Sequence, residues 1–306
     1  PQRFIEGWMD QHTYKASDIW YGNVRLVVYA VPTQTSEVSQ GFRSLGVNLG
    51  HQVSLEGYAL LTPEATAGEI LQIRLFWKAL SRIEKRYKVF IHILDEGGHI
   101  VGQRDTEPGG GARITTTWQA GEQVPDNYGV LILPGTPPGL HQIVVGMYEL
   151  DSGQRLPVVG ASGDTRDRIP LEPVTIYKAA TPPPPTALGM HQEVRLPAGP
   201  LALLGYNLTK LGQEHLRDAP LHAGDILHLT LFWQAVTSGA TEVELALLLQ
   251  DSAGQNRLTH RSPLVEGRYP LGRWQAGEIV RDQYNLFLPA DLKPGTYRLL
   301  LGITEP

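Results

Sequence analysis

Apolar and polar residues alternate along most of this chain. Leu71, Ile73, Leu75, Trp77 and Ala79 fall in one phase, and Gln72, Arg74, Phe76 and Lys78 fall in the other. A two-residue period places alternate side chains on opposite faces of a strand, so one face looks into a core and the other outward. The same pattern predicts strands over 53–60, 69–79, 86–95, 99–105, 128–133, 140–150 and 172–178. Turn chemistry separates them: Asp95-Glu96-Gly97-Gly98, Pro108-Gly109-Gly110-Gly111, Pro137-Pro138-Gly139 and Asp151-Ser152-Gly153. Helical spacing occurs near the start, where Phe4, Ile5, Trp8 and Met9 predict a short amphipathic helix over 2–12. Residues 24–31 read as a strand ended by Pro32, and the polar stretch 33–44 reads as a loop.

The pattern is written twice. Gly68-Glu69-Ile70-Leu71 through Leu75-Phe76-Trp77 returns at an offset of 156 as Gly224-Asp225-Ile226-Leu227 through Leu231-Phe232-Trp233. Trp118-Gln119-Ala120-Gly121-Glu122 returns as Trp274-Gln275-Ala276-Gly277-Glu278, Asp126 and Tyr128 return as Asp282 and Tyr284, and Pro138-Gly139 returns as Pro294-Gly295. A constant offset across so many strands and turns predicts two copies of one unit. The expected fold is all-β: two tandem antiparallel β-sandwich domains, jelly-roll or immunoglobulin-like, behind a short helix and strand. The expected divisions are a linker segment 1–44, a first sandwich 45–178, a proline-rich linker 179–187 around Pro182-Pro183-Pro184-Pro185, and a second sandwich 188–306. The second copy has no counterpart of 149–178 within this sequence.

Composition narrows the function. With 33 Gly, 23 Pro and 19% charged residues, the chain is rich in turns and poor in helix-forming charge. A net charge of −5 gives no basic footprint, so nucleic acid is not an expected partner. The absence of Cys excludes disulfides and thiolate metal sites. No apolar run reaches the roughly 18 residues that a membrane span needs.

Candidate chemistry is sparse. Trp77 and Trp233 could stack on sugars, but their phase places them in the core. Phe76 and Phe232 lie in the mixed polar phase, and on the strand 86–95 Phe90 and His92 share the outward phase. An outer apolar patch of Phe76 and Phe90 would bind a partner or glycan, unless residues 1–44 or the other copy cover it. Glu122 and Asp126, matched by Glu278 and Asp282, have the chemistry for acid/base hydrolysis or calcium binding. Their recurrence in both copies favours capping of turns and backbone N–H groups. The segment Gln103–Gly110 is where the copies differ, Asp105 being matched by Arg261 and Pro108 by Leu264. Arg104, Asp105 and Glu107 are therefore candidate ligand residues with Phe76, Phe90 and His92. A calcium loop there lacks the spaced run of Asp and Asn ligands. The scattered His form no zinc-binding spacing, and Asn207-Leu208-Thr209 is a lone glycosylation triplet. No catalytic residue, metal ligand or cofactor is assigned.

Leu55-Glu56-Gly57-Tyr58, Leu75-Phe76-Trp77-Lys78-Ala79 and Tyr87 through Asp95 lead on to Gln103-Arg104-Asp105 and Pro108-Gly109-Gly110. Trp118 through Glu122, Gly146-Met147-Tyr148 and Gly153 through Pro157 complete a pattern that covers most of the chain. It resembles the soluble C-terminal region of bacterial family 39 glycosyltransferases, the dolichyl-phosphate-mannose mannosyltransferase-like membrane proteins. Ile5-Glu6-Gly7-Trp8-Met9 and Trp20 through Leu26 resemble the segment joining the last membrane helix of such proteins to that region. The resemblance implies an extracytoplasmic, non-catalytic region attached to the membrane through a portion preceding Pro1. Its partners would be a glycan or protein acceptor, or the membrane-embedded part of the same polypeptide. A free-standing adhesion, scaffold or carbohydrate-binding module is the alternative reading. A glycoside hydrolase using Asp105, Glu107, Glu122 or Asp126 is a further one.

Overall fold

The computed structural model describes residues 2–32, 41–160, 165–214, 216 and 218–304. Helix α1 (Gln2–His12) leads into a hairpin of β1 (Tyr14–Tyr21) and β2 (Val24–Ala30). Then come β3 (Phe42–Leu49), β4 (Val53–Leu60), β5 (Glu64–Thr66), β6 (Ile70–Ala79), β7 (Tyr87–Leu94), β8 (Ile100–Thr106), β9 (Gln123–Leu131) and β10 (Gly139–Glu149). Four short strands follow: β11 (Val158–Val159), β12 (Thr165–Arg166), β13 (Ile169–Pro170) and β14 (Val174–Tyr177). The remainder holds β15 (Gln192–Ala198), β16 (Leu201–Lys210), β17 (Ile226–Ala235), β18 (Glu244–Gln250), β19 (Asn256–Pro263), β20 (Ile279–Phe287) and β21 (Arg298–Thr304). The fold is all-β.

The chain divides into two compact units, residues 1–133 with 139–177, and residues 134–138 with 178–306. In the first, one sheet has the order β12-β11-β3-β4-β6-β9 and the other β5-β14-β10-β7-β8, with β13 also on β10. Their inner faces meet in one apolar core. Leu71, Ile73, Leu75 and Trp77 enter from β6, Val89, Ile91 and Ile93 from β7, and Ile143, Val145 and Met147 from β10, all fully buried. The alternating pattern thus builds a sandwich with apolar residues between the sheets and polar residues outside.

The second unit has sheets β15-β16-β17-β20 and β19-β18-β21. These repeat β3-β4-β6-β9 and β8-β7-β10 strand for strand. Leu229, Leu231, Trp233, Leu245 and Leu247 fill its core. Trp77 and Trp233 are both completely buried, as their phase requires.

Three segments differ from the sequence reading. Residues 128–133 were expected as a strand, but β9 begins at Gln123 because Gln123, Val124 and Pro125 pair with Lys78, Trp77 and Phe76. Of the loop expected over 33–44, residues 33–40 lie outside the described residues, while Phe42, Arg43 and Ser44 pair with Ala59, Tyr58 and Gly57 in β3. Strand β1 had no apolar alternation to announce it. It forms because β2 supplies its backbone partners around the Gly22-Asn23 turn.

The described residues of the segment 1–44, read as a linker, pack on the first sandwich. Asn127 of β9 donates to the carbonyls of Gln11 and Thr13, while its own amide oxygen accepts from Arg74 at 2.5 Å. Tyr14 and Lys15 are buried. Lys15 is held by Asp10 at 2.8 Å and Glu6 at 3.2 Å. Burial pushes its ammonium down, but Asp10, Tyr29 and Glu6 outweigh this and raise it. The prolines Pro182–Pro185 lie inside the second unit, near the beginning of its stretch 178–306.

Candidate functional site

The outer face of the β10-β7-β8 sheet carries a mixed aromatic and polar cluster. Cross-strand pairing sets it up: Phe90 lies opposite Gly146 and Asp105, and His92 lies opposite Gln103. Residues 150–153 then turn the chain back so that Arg155 bridges to Tyr148. Its guanidinium sits over the Phe90 ring at 4.4 Å, within cation–π range. The Tyr148 and His92 rings flank Phe90 at centroid distances of 6.4 and 5.0 Å. Gly146 is required here, because a Cβ would come within 2.4 Å of the Phe90 ring.

Polar groups surround this buried ring. His92 Nε2 lies 3.6 Å from Asp105 Oδ2, and Arg155 pairs with Asp167 at 2.5 Å. Burial raises the Tyr148 phenol to about 12, Asp105 adding to the rise and Arg155 opposing it. Tyr148 therefore stays protonated at neutral pH and keeps a donor beside the Asp105 carboxylate. Asp105 offers an acceptor at 30% exposure, and the His92 ring, 14% exposed, adds a nitrogen of either role. Such alternating donors and acceptors suit a neutral, polyhydroxylated ligand.

The second copy does not repeat the cluster. At the same offset Phe90 becomes Ala246, His92 becomes Leu248, Asp105 becomes Arg261 and Tyr148 becomes Thr304.

The candidate residues separate into four places. Phe90, His92 and Asp105 join in the cluster. Phe76 does not join Phe90: β6 and β7 belong to different sheets, so the two rings face away from opposite sides of the sandwich. The expected common patch is corrected accordingly. Phe76 is half-buried and meets the ring of Phe42 edge-on at 5.2 Å, so part of its cover comes from residues 1–44. Phe90 is buried beneath its own neighbours.

Arg104 and Glu107 also leave the expected ligand loop. Arg104 pairs across from inward-facing Ile91, and its Nη1 donates to the Ala16 carbonyl at 3.5 Å. Burial lowers its pKa. Glu107 is spent on a two-pronged pair with Arg86 at 2.8 and 2.5 Å. Tyr148 and Arg155 complete the site although the sequence reading did not single them out. The one signal was the shared outward phase of Gly146 and Tyr148, since Arg155 arrives only through the turn.

The loop that differs in sequence is alike in shape. Gly109 and Gly110 have φ of 62° and 63°, and Val265 and Glu266 at the same offset have 53° and 49°. Each loop brings one backbone N–H onto a buried carboxylate: Gly109 onto Asp126 at 2.9 Å, Val265 onto Asp282 at 3.0 Å. Tyr128 donates to Asp126, and Tyr284 to Asp282 at 2.8 Å. Glu122 and Glu278 cap the backbone N–H groups of Gln119 and Gln275 at 2.8 and 2.9 Å. These acids are fold-building, as their duplication indicated. Burial pushes Asp126 up to about 6 and Asp282 up to about 7.

Elsewhere on the first unit, the hairpin exposes Trp20, Tyr21, Val24 and Leu26, and the helix exposes Ile5 and Trp8. Asn207 of the lone triplet is engaged, accepting from the His191 N–H at 2.6 Å and donating to the Gly189 carbonyl at 3.1 Å. Among the described residues no group of three or more His, Asp or Glu is placed to hold a metal ion, and no helix is long and apolar enough to cross a membrane.

No family model matches this chain. No curated protein matches it either. Among solved structures, dimeric latent PorU from Porphyromonas gingivalis is similar over 92% of this chain and 21% of that one, at 10% identity and a TM-score of 0.19. The chain thus spans about a fifth of the length of PorU.

Proposed function

We propose that this chain is a non-catalytic, extracytoplasmic region of a membrane glycosyltransferase, in which the first sandwich holds or positions an acceptor glycan. The observation that carries the reading is the cluster of His92, Asp105, Tyr148 and Arg155 around Phe90. One copy of a duplicated fold has gained donors, an acceptor and aromatic surface at positions where the other has Leu248, Arg261 and Thr304. Residues needed only for the fold are kept in both copies, as Trp77 and Trp233 are. The resemblance to family 39 transferases supplies the class of parent protein. The apolar hairpin around Trp20 and Tyr21 is the surface on which a membrane-embedded portion would rest.

Calorimetric titration of the chain with cell-envelope oligosaccharides tests the reading. Binding is expected, and Tyr148→Phe and Asp105→Asn are each expected to weaken it about tenfold, the worth of one well-placed hydrogen bond. Binding unchanged by both substitutions would remove the cluster as the site. No binding to any such glycan would leave only a bracing role for the region.

A further inference from the structure

Cross-strand rows order the outer face of the β10-β7-β8 sheet. Lys88 of β7 stands opposite Tyr148, Phe90 opposite Gly146 and Asp105, and His92 opposite Gln103. Outward positions two apart on a strand lie about 7 Å from each other. Lys88 and His92 therefore end a strip about 13 Å long, with Asp105 at its middle row.

Neighbouring charged side chains are spent within the first unit. Lys85 pairs with Glu149 at 2.8 Å, Arg86 with Glu107 at 2.5 Å and Arg155 with Asp167 at 2.5 Å. The ends of the strip differ. Among the described residues the Lys88 ammonium has no carboxylate partner and the Gln103 side-chain amide has no hydrogen bond. Gln103 is exposed and Lys88 half-buried.

The second copy supplies the comparison. At the same offset Lys88 becomes Glu244, which pairs with Arg261 at 3.2 Å, and Gln103 becomes Thr259. Arg261 itself stands where the first copy has Asp105. The second copy closes its charges on each other at these positions. The first leaves a donor at one end of the strip, an amide that donates and accepts at the other, and a carboxylate between them.

We infer that the glycan site is a row of three subsites for a linear oligosaccharide lying along β7 and β8, with Lys88 and Gln103 as its end residues and Asp105 at its centre. The inference rests on the glycan reading above and extends it from one sugar to a chain. A strip of this length exceeds one sugar ring and matches two or three linked rings. Lys88 and Tyr148 donate to the hydroxyls of one terminal sugar, His92 and Gln103 hold the other, and Asp105 accepts from the middle one. Because each hydroxyl both donates and accepts, a neutral chain satisfies all of these groups.

Calorimetry with linear gluco-, manno- and N-acetylglucosamine oligosaccharides of one to four units tests it. Affinity is expected to rise at least tenfold from one unit to three and to level off at four. Lys88→Ala and Gln103→Ala are each expected to weaken the trisaccharide about three- to tenfold, the worth of one hydrogen bond, and to leave a monosaccharide held at Asp105 unchanged. Asp105→Asn should weaken both. Neither end side chain is bonded within the fold, so the melting temperature of both end variants should stay as it is. Equal affinity for one unit and three overturns the inference and leaves a single-sugar site. A trisaccharide affinity indifferent to both end substitutions overturns it too. If none of these sugars binds, the inference falls, and the titration against cell-envelope glycans decides separately whether the glycan reading falls with it.

Discussion

Tyr284 donates its phenolic hydrogen to Asp282 at 2.8 Å from two positions further along the same strand, with both side chains facing the core. The carboxylate also accepts from Trp233 Nε1 at 3.2 Å and from the Val265 N–H at 3.0 Å. One buried acid therefore ties a core tryptophan, a neighbouring tyrosine and a loop into one network. The first copy has the same acid, tyrosine and loop contact, but Trp77 Nε1 has no partner there.

Removing these acids should cost unequally. Asp282→Ala strands three buried donors, whereas Asp126→Ala strands the buried Tyr128 hydroxyl and the half-buried Gly109 N–H, and each buried group left unpaired costs about 1–3 kcal/mol. Asp282→Ala is thus expected to be the more damaging, by roughly 1–3 kcal/mol on the same basis. Urea unfolding of the two variants, followed by tryptophan fluorescence, measures the difference. Equal losses would mean that the Trp233 contact contributes nothing.

The same acids set a pH dependence. In the unfolded chain they ionise near the ordinary carboxylate value of about 3.9, whereas in the fold they hold their protons to about 6 and about 7. The native state binds more protons across that window, so stability falls as pH rises from about 4 to about 7 and then levels off. Arg25 holds Glu6 and Asp18 below their usual values, so their contribution is lost only at still lower pH, as it falls through their native pKa values. The melting temperature is expected to be higher at pH 5 than at pH 8. The Asp126→Asn, Asp282→Asn double variant should flatten the difference. A melting temperature that climbs from pH 5 to pH 8 would contradict the assignment.

The paired loops predict opposite outcomes at matching positions. Glu266 adopts a left-handed conformation at φ 49° and is partly exposed. A side chain pays roughly 1–2 kcal/mol there, and its pair with Arg268 returns little at the surface. Glu266→Gly should stabilise the second unit by about 1 kcal/mol. Gly110→Ala should destabilise the first by more than the conformational cost alone, because its Cβ would sit 2.9 Å from the Nζ of buried Lys15. Thermal melts of the two variants check the signs, and a destabilised Glu266→Gly protein would show that the ion pair outweighs the strain.

Period and repeat carried much of this structure. A strand exposes alternate residues to opposite faces as a local property of its backbone, so the burial of Trp77 and the outward phase of Phe90 could be read without coordinates. The 156-residue offset located Asp126 and Asp282 and marked them as fold-building, because a contact kept in both copies serves what the copies share. Strand β1 escaped notice because its residues, Lys15 through Asp18 especially, lack alternation, and its order comes from β2 and β9.

The site itself was legible only in part. Phe90, His92 and Asp105 could be named from phase and from the difference between copies. That Phe76 belongs to another face, that Arg104 turns toward Ala16, and that Arg155 lies over Phe90 were decided by tertiary structure. Which strands become neighbours depends on pairing between segments far apart in the chain, and a two-residue period is the same whichever partner a strand takes.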